Sequence, residues 1–202
     1  MGGWRQIMCG RYYIDDTTEK EVNSILGNIF QNTDTEQKPA GDIFPSQSAF
    51  VIKNQNGHLT ADRMAWGFPR FDGNGLLINA RAESVLERRT FRDSVLHRRC
   101  VIPARGFYEW DSQKEKFSYE RKDGRPLFMA GCFNLYRGRD CFVILTTEAN
   151  PSVAPVHNRM PLILEREELE NWVLDDQAAE FILHKTPPLL KSSTEYEQIK
   201  LF

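Results

Sequence analysis

The chain lacks a Cys-x-x-Cys pair, a long apolar run and any tract of biased composition, and each absence removes a class of protein. Its four cysteines, at 9, 100, 132 and 141, show no metal-ligand spacing with the four histidines, so no metal and no other cofactor is expected. No apolar stretch approaches the ~18 residues that cross a bilayer. The opening MGGWRQI is too short and too polar for a secretory signal. A cytoplasmic protein without a membrane partner is therefore expected. No repeat or linker divides the 202 residues, and 41% hydrophobic with 27% charged residues suits one ordinary core.

A net charge of −2 carries no bulk signal for nucleic acid, but the charges are unevenly placed. Residues 81–105 hold seven arginines (81, 88, 89, 92, 98, 99 and 105) against Glu83, Glu87 and Asp93, a surplus of four. Residues 165–180 hold seven acids against Arg166. A basic region on a mildly acidic protein suits a polyanion held at one face. A solvated helix with scattered surface arginines accounts for the charge equally well.

Periodicity outlines the elements. Val22, Ile25, Leu26, Ile29 and Phe30 follow helical spacing, with Thr18 and Glu21 as a capping box. SAFVIKN and HLTADRMAW flank Asn56-Gly57, the signature of a hairpin. GRYYI, LLINARA, CVIPARGFYEW, KFSYERK, PLFMAGCF, CFVILTTEA, NRMPLIL and the closing YEQIKLF read as strands, with Asp123-Gly124 turning KFSYERK into PLFMAGCF. NTDTEQKPAGD reads as a loop, TFRDSVLHRR as a helix capped by Thr90, and 165–173 and 175–184 as acidic helices. The expectation is a single α+β domain: a mixed, mostly antiparallel sheet, or a partly closed barrel, surrounded by helices.

Residues able to do chemistry stand at four separate places. Cys100, Cys132 and Cys141 sit in apolar runs and read as buried thiols. Cys9 is followed by Gly10 and Arg11, and a neighbouring cation favours the thiolate. If the chain starts at Met8 and loses it, Cys9 becomes a 1,2-aminothiol. Asn79, Arg81 and Glu83 alternate, so they share one face if their strand continues. Glu109 lies between Tyr108 and Trp110, where partial desolvation raises a carboxyl pKa toward the range of acid–base work. His157 is a proton carrier, with Arg159 two residues on. Each signal has a structural alternative: a polar strand face, an edge glutamate in water, a packed histidine.

Taken in order, MCGR, PSQ, AWGFP, INARAES, RCVIPARGFYEW, ILTTEAN and VHNRMPLIL closely resemble the SOS-response-associated peptidase (SRAP) family, whose members crosslink to abasic sites in single-stranded DNA. The resemblance runs from Cys9 to about Leu164. It implies that Cys9 is the N-terminal nucleophile, that Asn79 positions it and the opened sugar, that Glu109 assists Schiff-base formation and that His157 promotes ring opening. It further implies that Arg81 and Arg159 clamp phosphates, with Arg11 beside the nucleophile and Trp66 in the wedge against stacked bases. GDIFPSQ lacks the asparagine often found before this proline. Residues 1–7 read as an extension, non-native or removed, ahead of a domain over 8–202. The implied partner is single-stranded DNA containing abasic sites, met by a monomer that associates with the nucleoid when bound. A cysteine-type autopeptidase and a passive damaged-strand reader are the competing functions.

Overall fold

Asn56 and Gly57 both have positive φ, 55° and 83°, the pair of left-handed residues that a two-residue hairpin turn requires. They join β3 (Ser48–Gln55) to β4 (His58–Trp66) with Gln55 opposite His58, as the dipeptide predicts. The computed structural model describes residues 10–27 and 41–194. Expectations for MGGWRQI, Met8 and Cys9, for Ile29 and Phe30, for most of the 32–42 loop and for the YEQIKLF strand lie outside those residues.

Two large strand systems, a two-stranded ribbon and four α-helices make up the described residues. β1 (Tyr12–Ile14), α1 (Asp16–Leu26) and β2 (Gly41–Ile43) precede the hairpin. After it come β5 (Phe68–Pro69), β6 (Leu76–Leu77), β7 (Asn79–Arg81), α2 (Arg89–His97), β8 (Arg99–Ala104), β9 (Gly106–Trp110), β10 (Lys116–Arg121), β11 (Leu127–Tyr136) and β12 (Arg139–Glu148). β13 (Arg159–Pro161), β14 (Ile163–Leu164), α3 (Leu169–Leu174), α4 (Asp176–Ile182) and β15 (Leu190–Thr194) complete the order.

β12 pairs in parallel with β4 and antiparallel with β11, so the order β12-β4-β3-β8-β11 returns to β12 and closes a five-stranded barrel. A second, five-stranded sheet has the order β15-β10-β9-β1-β2. The expected α+β class and mostly antiparallel pairing are both present. Alternation along the barrel strands feeds two cores. Val101, Ala130, Cys132, Val143 and Leu145 join a cluster with Val22 of α1, Val95 of α2 and Trp172 of α3. Cys100, Ile102, Met129, Phe142 and Ile144 join Tyr12, Phe107 and Tyr119 of the second sheet. The first set faces the helices, and the second faces an inner core shared with the second sheet.

Several boundaries fall elsewhere than the sequence suggests. CVIPARGFYEW is two strands broken at Arg105, one in each sheet. Asp123-Gly124 therefore links strands of different sheets instead of turning a hairpin. α1 begins at Asp16, capped by the Asp15 carboxylate, which accepts from the Thr18 amide at 2.9 Å and its hydroxyl at 2.8 Å. Aspartate is a strong N-cap, and Thr18 is buried as helix, not as cap. α2 starts one residue before Thr90 and has no side-chain cap. Among the described residues no helix is long and apolar enough to cross a membrane.

Trp66 anchors the inner core. It is fully buried, its indole N–H donates to the Ile78 carbonyl at 3.0 Å, and its ring meets Tyr12 edge-on at 5.1 Å. Trp66→Phe removes that donor and leaves a void, and is expected to cost about 2 kcal/mol. Urea denaturation measures this; an unchanged midpoint would show the indole to be dispensable to the core.

Candidate functional site

The site is built around the end of β12. Thr146 has Arg81 of β7 beside it on one flank and Pro161 of β13 on the other. The two motifs INARAES and VHNRMP, 76 residues apart between Glu83 and Arg159, meet there through a salt bridge. Arg159 donates to both Glu83 carboxylate oxygens, at 2.5 and 2.8 Å, and to the Thr146 carbonyl at 2.7 Å. Arg159 is thus held in place, while Arg81 stands exposed at the end of its strand. Burial opposes the Glu83 charge, but the Arg159 guanidinium outweighs it and keeps the pKa below 4.5. Asn79, Arg81 and Glu83 do not share a continuous strand face. β7 ends at Arg81, and Glu83 lies in a 3₁₀ turn over Ala82–Ser84.

His157 sits in the turn before β13 and is only 8% exposed. Its Nδ1 accepts from the Arg159 amide at 3.1 Å, which leaves the neutral ring's proton on Nε2. The turn is fixed from behind. Asn150 binds Ser152 through its side-chain oxygen and the Pro187 and Pro188 carbonyls through its amide nitrogen. Burial lowers the His157 pKa below its usual 6.5, and the Arg159 charge adds to this against a backbone hydrogen bond that raises it.

Glu109 is a core residue of the second sheet, not an edge residue in water. β9 lies between β10 and β1, and Glu109 is 1% exposed on the same face as Phe107, as period two requires. Beneath it Tyr119 is fully buried, its hydroxyl pushed up to about 12 by burial and then by the Glu109 charge. Tyr12 pairs with Phe107, and the Tyr108 amide donates to the Arg11 carbonyl at 3.0 Å. That antiparallel register, continued by one pair, sets Gly10 opposite Glu109. Cys9 itself is outside the described residues.

Neighbours of the candidates on three strands share one core. Ile78 before Asn79, Met160 after Arg159, and Phe107 two residues before Glu109 all belong to one buried cluster. The sheet fixes where Arg11 points, and burial overturns the expectation for Trp66. Arg11 emerges on the opposite sheet face from Glu109, paired with Asp42 at 3.2 Å and lying over the Phe44, Trp110 and Tyr108 rings at 4.6, 5.4 and 5.6 Å. Alternation dictates this, because Tyr12 is the inward residue of β1. Trp66 offers no face to a base, being wholly core. The exposed aromatic of that stretch is Phe71, five residues on in the β5–β6 loop, whose side chain is fully open. A phenylalanine between Arg70 and Asp72 in a glycine-rich turn was the signal available in the sequence.

The basic stretch also divides. Arg99 is buried against helix carbonyls and Asp176, Arg98 binds Asp93, and Arg105 binds Glu120. Arg81, Arg88, Arg89 and Arg92 remain exposed.

Because the His157 pKa is depressed on folding, its contribution to stability is complete above the unfolded value near 6.5 and is lost as pH falls below it. His157→Gln should therefore lose less stability than the parent between pH 7 and pH 5, a window above the Glu83 transition. Equal losses in denaturation at the two pH values would remove His157 from this account.

The "SOS response associated peptidase (SRAP)" family matches residues 8–200. "Abasic site processing protein YedK" of Escherichia coli (strain K12) is 30% identical over 176 residues, covering 82% of this chain and 79% of the relative. "Abasic site processing protein YoqW" of Bacillus subtilis (strain 168) is 31% identical over 183 residues, 82% of this chain and 80% of the relative. A crystal structure of a Bordetella bronchiseptica protein shares the fold with a TM-score of 0.75 at 23% identity, over 92% of this chain and 99% of that one. The chain belongs to the SOS response associated peptidase (SRAP) family.

Proposed function

We propose that this protein, once its chain begins at Cys9, recognises abasic sites in single-stranded DNA and links to them covalently. The observation that supports the reading is the register of β1 on β9, which, continued by one pair, sets Gly10 opposite the buried Glu109. The names of the relatives, abasic site processing proteins, agree with it.

An abasic deoxyribose opens to an aldehyde. The α-amine of Cys9, with a pKa of ~7.7–8.0, adds to the aldehyde carbon and water leaves, giving an imine. The thiol then adds to that carbon, its proton passing to nitrogen, and a five-membered thiazolidine closes. A lysine amine stops at the imine, which water reverses. Glu109 and the neutral His157 carry the protons, and Asn79 holds the sugar and the cysteine. Arg81 binds a flanking phosphate, and Arg159 does so by exchanging Glu83 for it. Phe71 supplies the aromatic face for a neighbouring base. Amine, thiol and aldehyde condense without a metal or organic cofactor. While residues 1–8 remain attached, the Cys9 nitrogen is an amide and cannot begin the sequence. Their removal, by start-site choice and methionine trimming or by cleavage at Cys9 itself, is part of the proposal.

Protein started at Cys9 should give a denaturant-resistant band with abasic single-stranded DNA and none with undamaged DNA. The intact 202-residue chain should bind without a stable band unless mass spectrometry shows it trimmed. A stable adduct from the untrimmed chain would exclude the thiazolidine. Retention of multiple turnover on peptides without a DNA adduct would support the peptidase instead, and an adduct-free complex surviving Cys9→Ala the passive reader.

Phe71→Ala should weaken binding of single-stranded DNA roughly tenfold, about the 1–3 kcal/mol of one base–aromatic stack, and leave the thermal midpoint unchanged. Fluorescence anisotropy and a melting curve read the two quantities. An unaffected affinity would place the bases elsewhere.

A further inference from the structure

Between the β5–β6 loop and the tight turn joining β11 to β12 lies a groove whose charge the chemistry above does not use. It consists of two openings of about 560 and 400 Å³, joined where both are lined by Pro69, Arg70, Tyr136 and Arg137. Arg139 lines the far opening, and Thr90, in the first turn of α2, lines the near one. Asp72 is the one acid among the lining residues, 3.5 Å from the Arg70 guanidinium. Arg137 is exposed and forms no ion pair among the described residues, and Arg139 donates only to the Ser48 hydroxyl at 3.0 Å.

The near wall adds more positive character. α2 has nine residues, no side-chain cap and no acid in its first turn, so its partial positive end is not neutralised locally. Arg88, Arg89 and Arg92 are exposed around that end. Phe71 projects from the loop beside the groove, and Tyr136 lies half-buried along it. Cations along a cleft with aromatic faces between them are the chemistry that tracks a single nucleic-acid strand.

The groove and the candidate site share two elements, the approach to β7 and strand β12. Leu76 and Leu77 line it and stand two or three residues before Asn79. Arg139 and Thr146 lie at the two ends of β12, seven residues apart, at most about 23 Å of strand. At the ~3.4 Å per nucleotide of a helical strand that span is about seven nucleotides, fewer if the strand is stretched.

We infer that this groove is a second, lesion-independent subsite that holds the backbone of the single-stranded DNA flanking the abasic position. The inference rests on the function proposed above. The lesion is then met at the end of β12 that carries Thr146, while phosphates farther along the same strand are neutralised by Arg70, Arg137 and Arg139. Affinity depends on strand length in a way the crosslinking groups do not determine.

The test uses Cys9-started protein and three single strands: a trinucleotide with the abasic residue in the centre, and two strands extended from it by about 15 nucleotides, one on each side. A ring-locked abasic analogue in each gives non-covalent affinity by anisotropy over a salt series, and the true abasic residue gives crosslink yield. The variant is Arg137→Asn with Arg139→Gln. Asparagine is chosen because residue 137 has φ of 52°, which asparagine tolerates well.

The double variant should bind one of the extended strands about tenfold more weakly, with a salt slope smaller by about 1.4, the loss of two phosphate contacts. Its trinucleotide affinity and crosslink yield should stay within twofold of the parent. No loss on either extended strand, or the same loss on the trinucleotide, overturns the subsite. Failure of the parent protein to crosslink either length overturns the function proposed above and leaves the groove to be judged on the anisotropy series alone. If the double variant loses trinucleotide crosslinking through misfolding, Arg70→Gln, in a surface loop, decides by the same length-selective loss.

Discussion

Every other feature of this protein depends on the hydrogen bonding of β12 along both of its edges. One edge takes β4 and then β7 in parallel, and the other takes β11 and then β13 antiparallel. The first half of the strand closes the barrel, and the second half, beyond the barrel, carries the site. A single ten-residue strand is therefore both the seam of the fold and the platform of the chemistry. Its residues from Cys141 to Thr146 are buried, so a slip of one residue would turn every side chain to the wrong core and separate Arg81 from Arg159 together.

The site contrasts two electrostatic arrangements. Near the surface, Arg159 is committed to the Glu83 carboxylate. The pair is about half open on the glutamate side, where solvent screening keeps such contacts modest, so exchange for a multiply charged strand is energetically accessible. In the interior, Glu109 is buried among the aromatic residues of the second sheet, beside Phe107 and close enough to Tyr119 for its charge to act on that hydroxyl. The contrast follows from where each residue falls on its strand: Arg81 exposed at a strand end, Glu109 buried in the middle of a sheet.

Arginine number proved a poor guide to arginine use. Arg99 is the most deeply buried of the seven in its stretch and ties the end of α2 to α3 and α4 through the Val95, Leu96 and Trp172 carbonyls. Arg98 and Arg105 likewise serve neighbouring carboxylates. The residues left for a polyanion are those on α2's opening turn and on Arg81, and they are joined in space by Arg70, Arg137 and Arg139 from distant parts of the chain. Composition counts charges without regard to their partners, so it overstated one stretch and overlooked the other two.

What the sequence determined is local and periodic. The Asn56-Gly57 hairpin was legible because only two left-handed residues close such a turn, and the inward placement of Glu109 with Phe107 because side chains alternate. The family was legible because long motifs stand in one order. What only the tertiary structure decided is non-local. Arg105 breaks one apolar run into strands of two different sheets, which no local propensity signals. Trp66 is wholly buried and Phe71 fully open, because burial depends on what packs above a residue, not on its type. Arg11 and Glu109 fall on opposite faces of one sheet because β1 and β9 are in register, a relation between residues nearly a hundred positions apart that no short window of sequence contains.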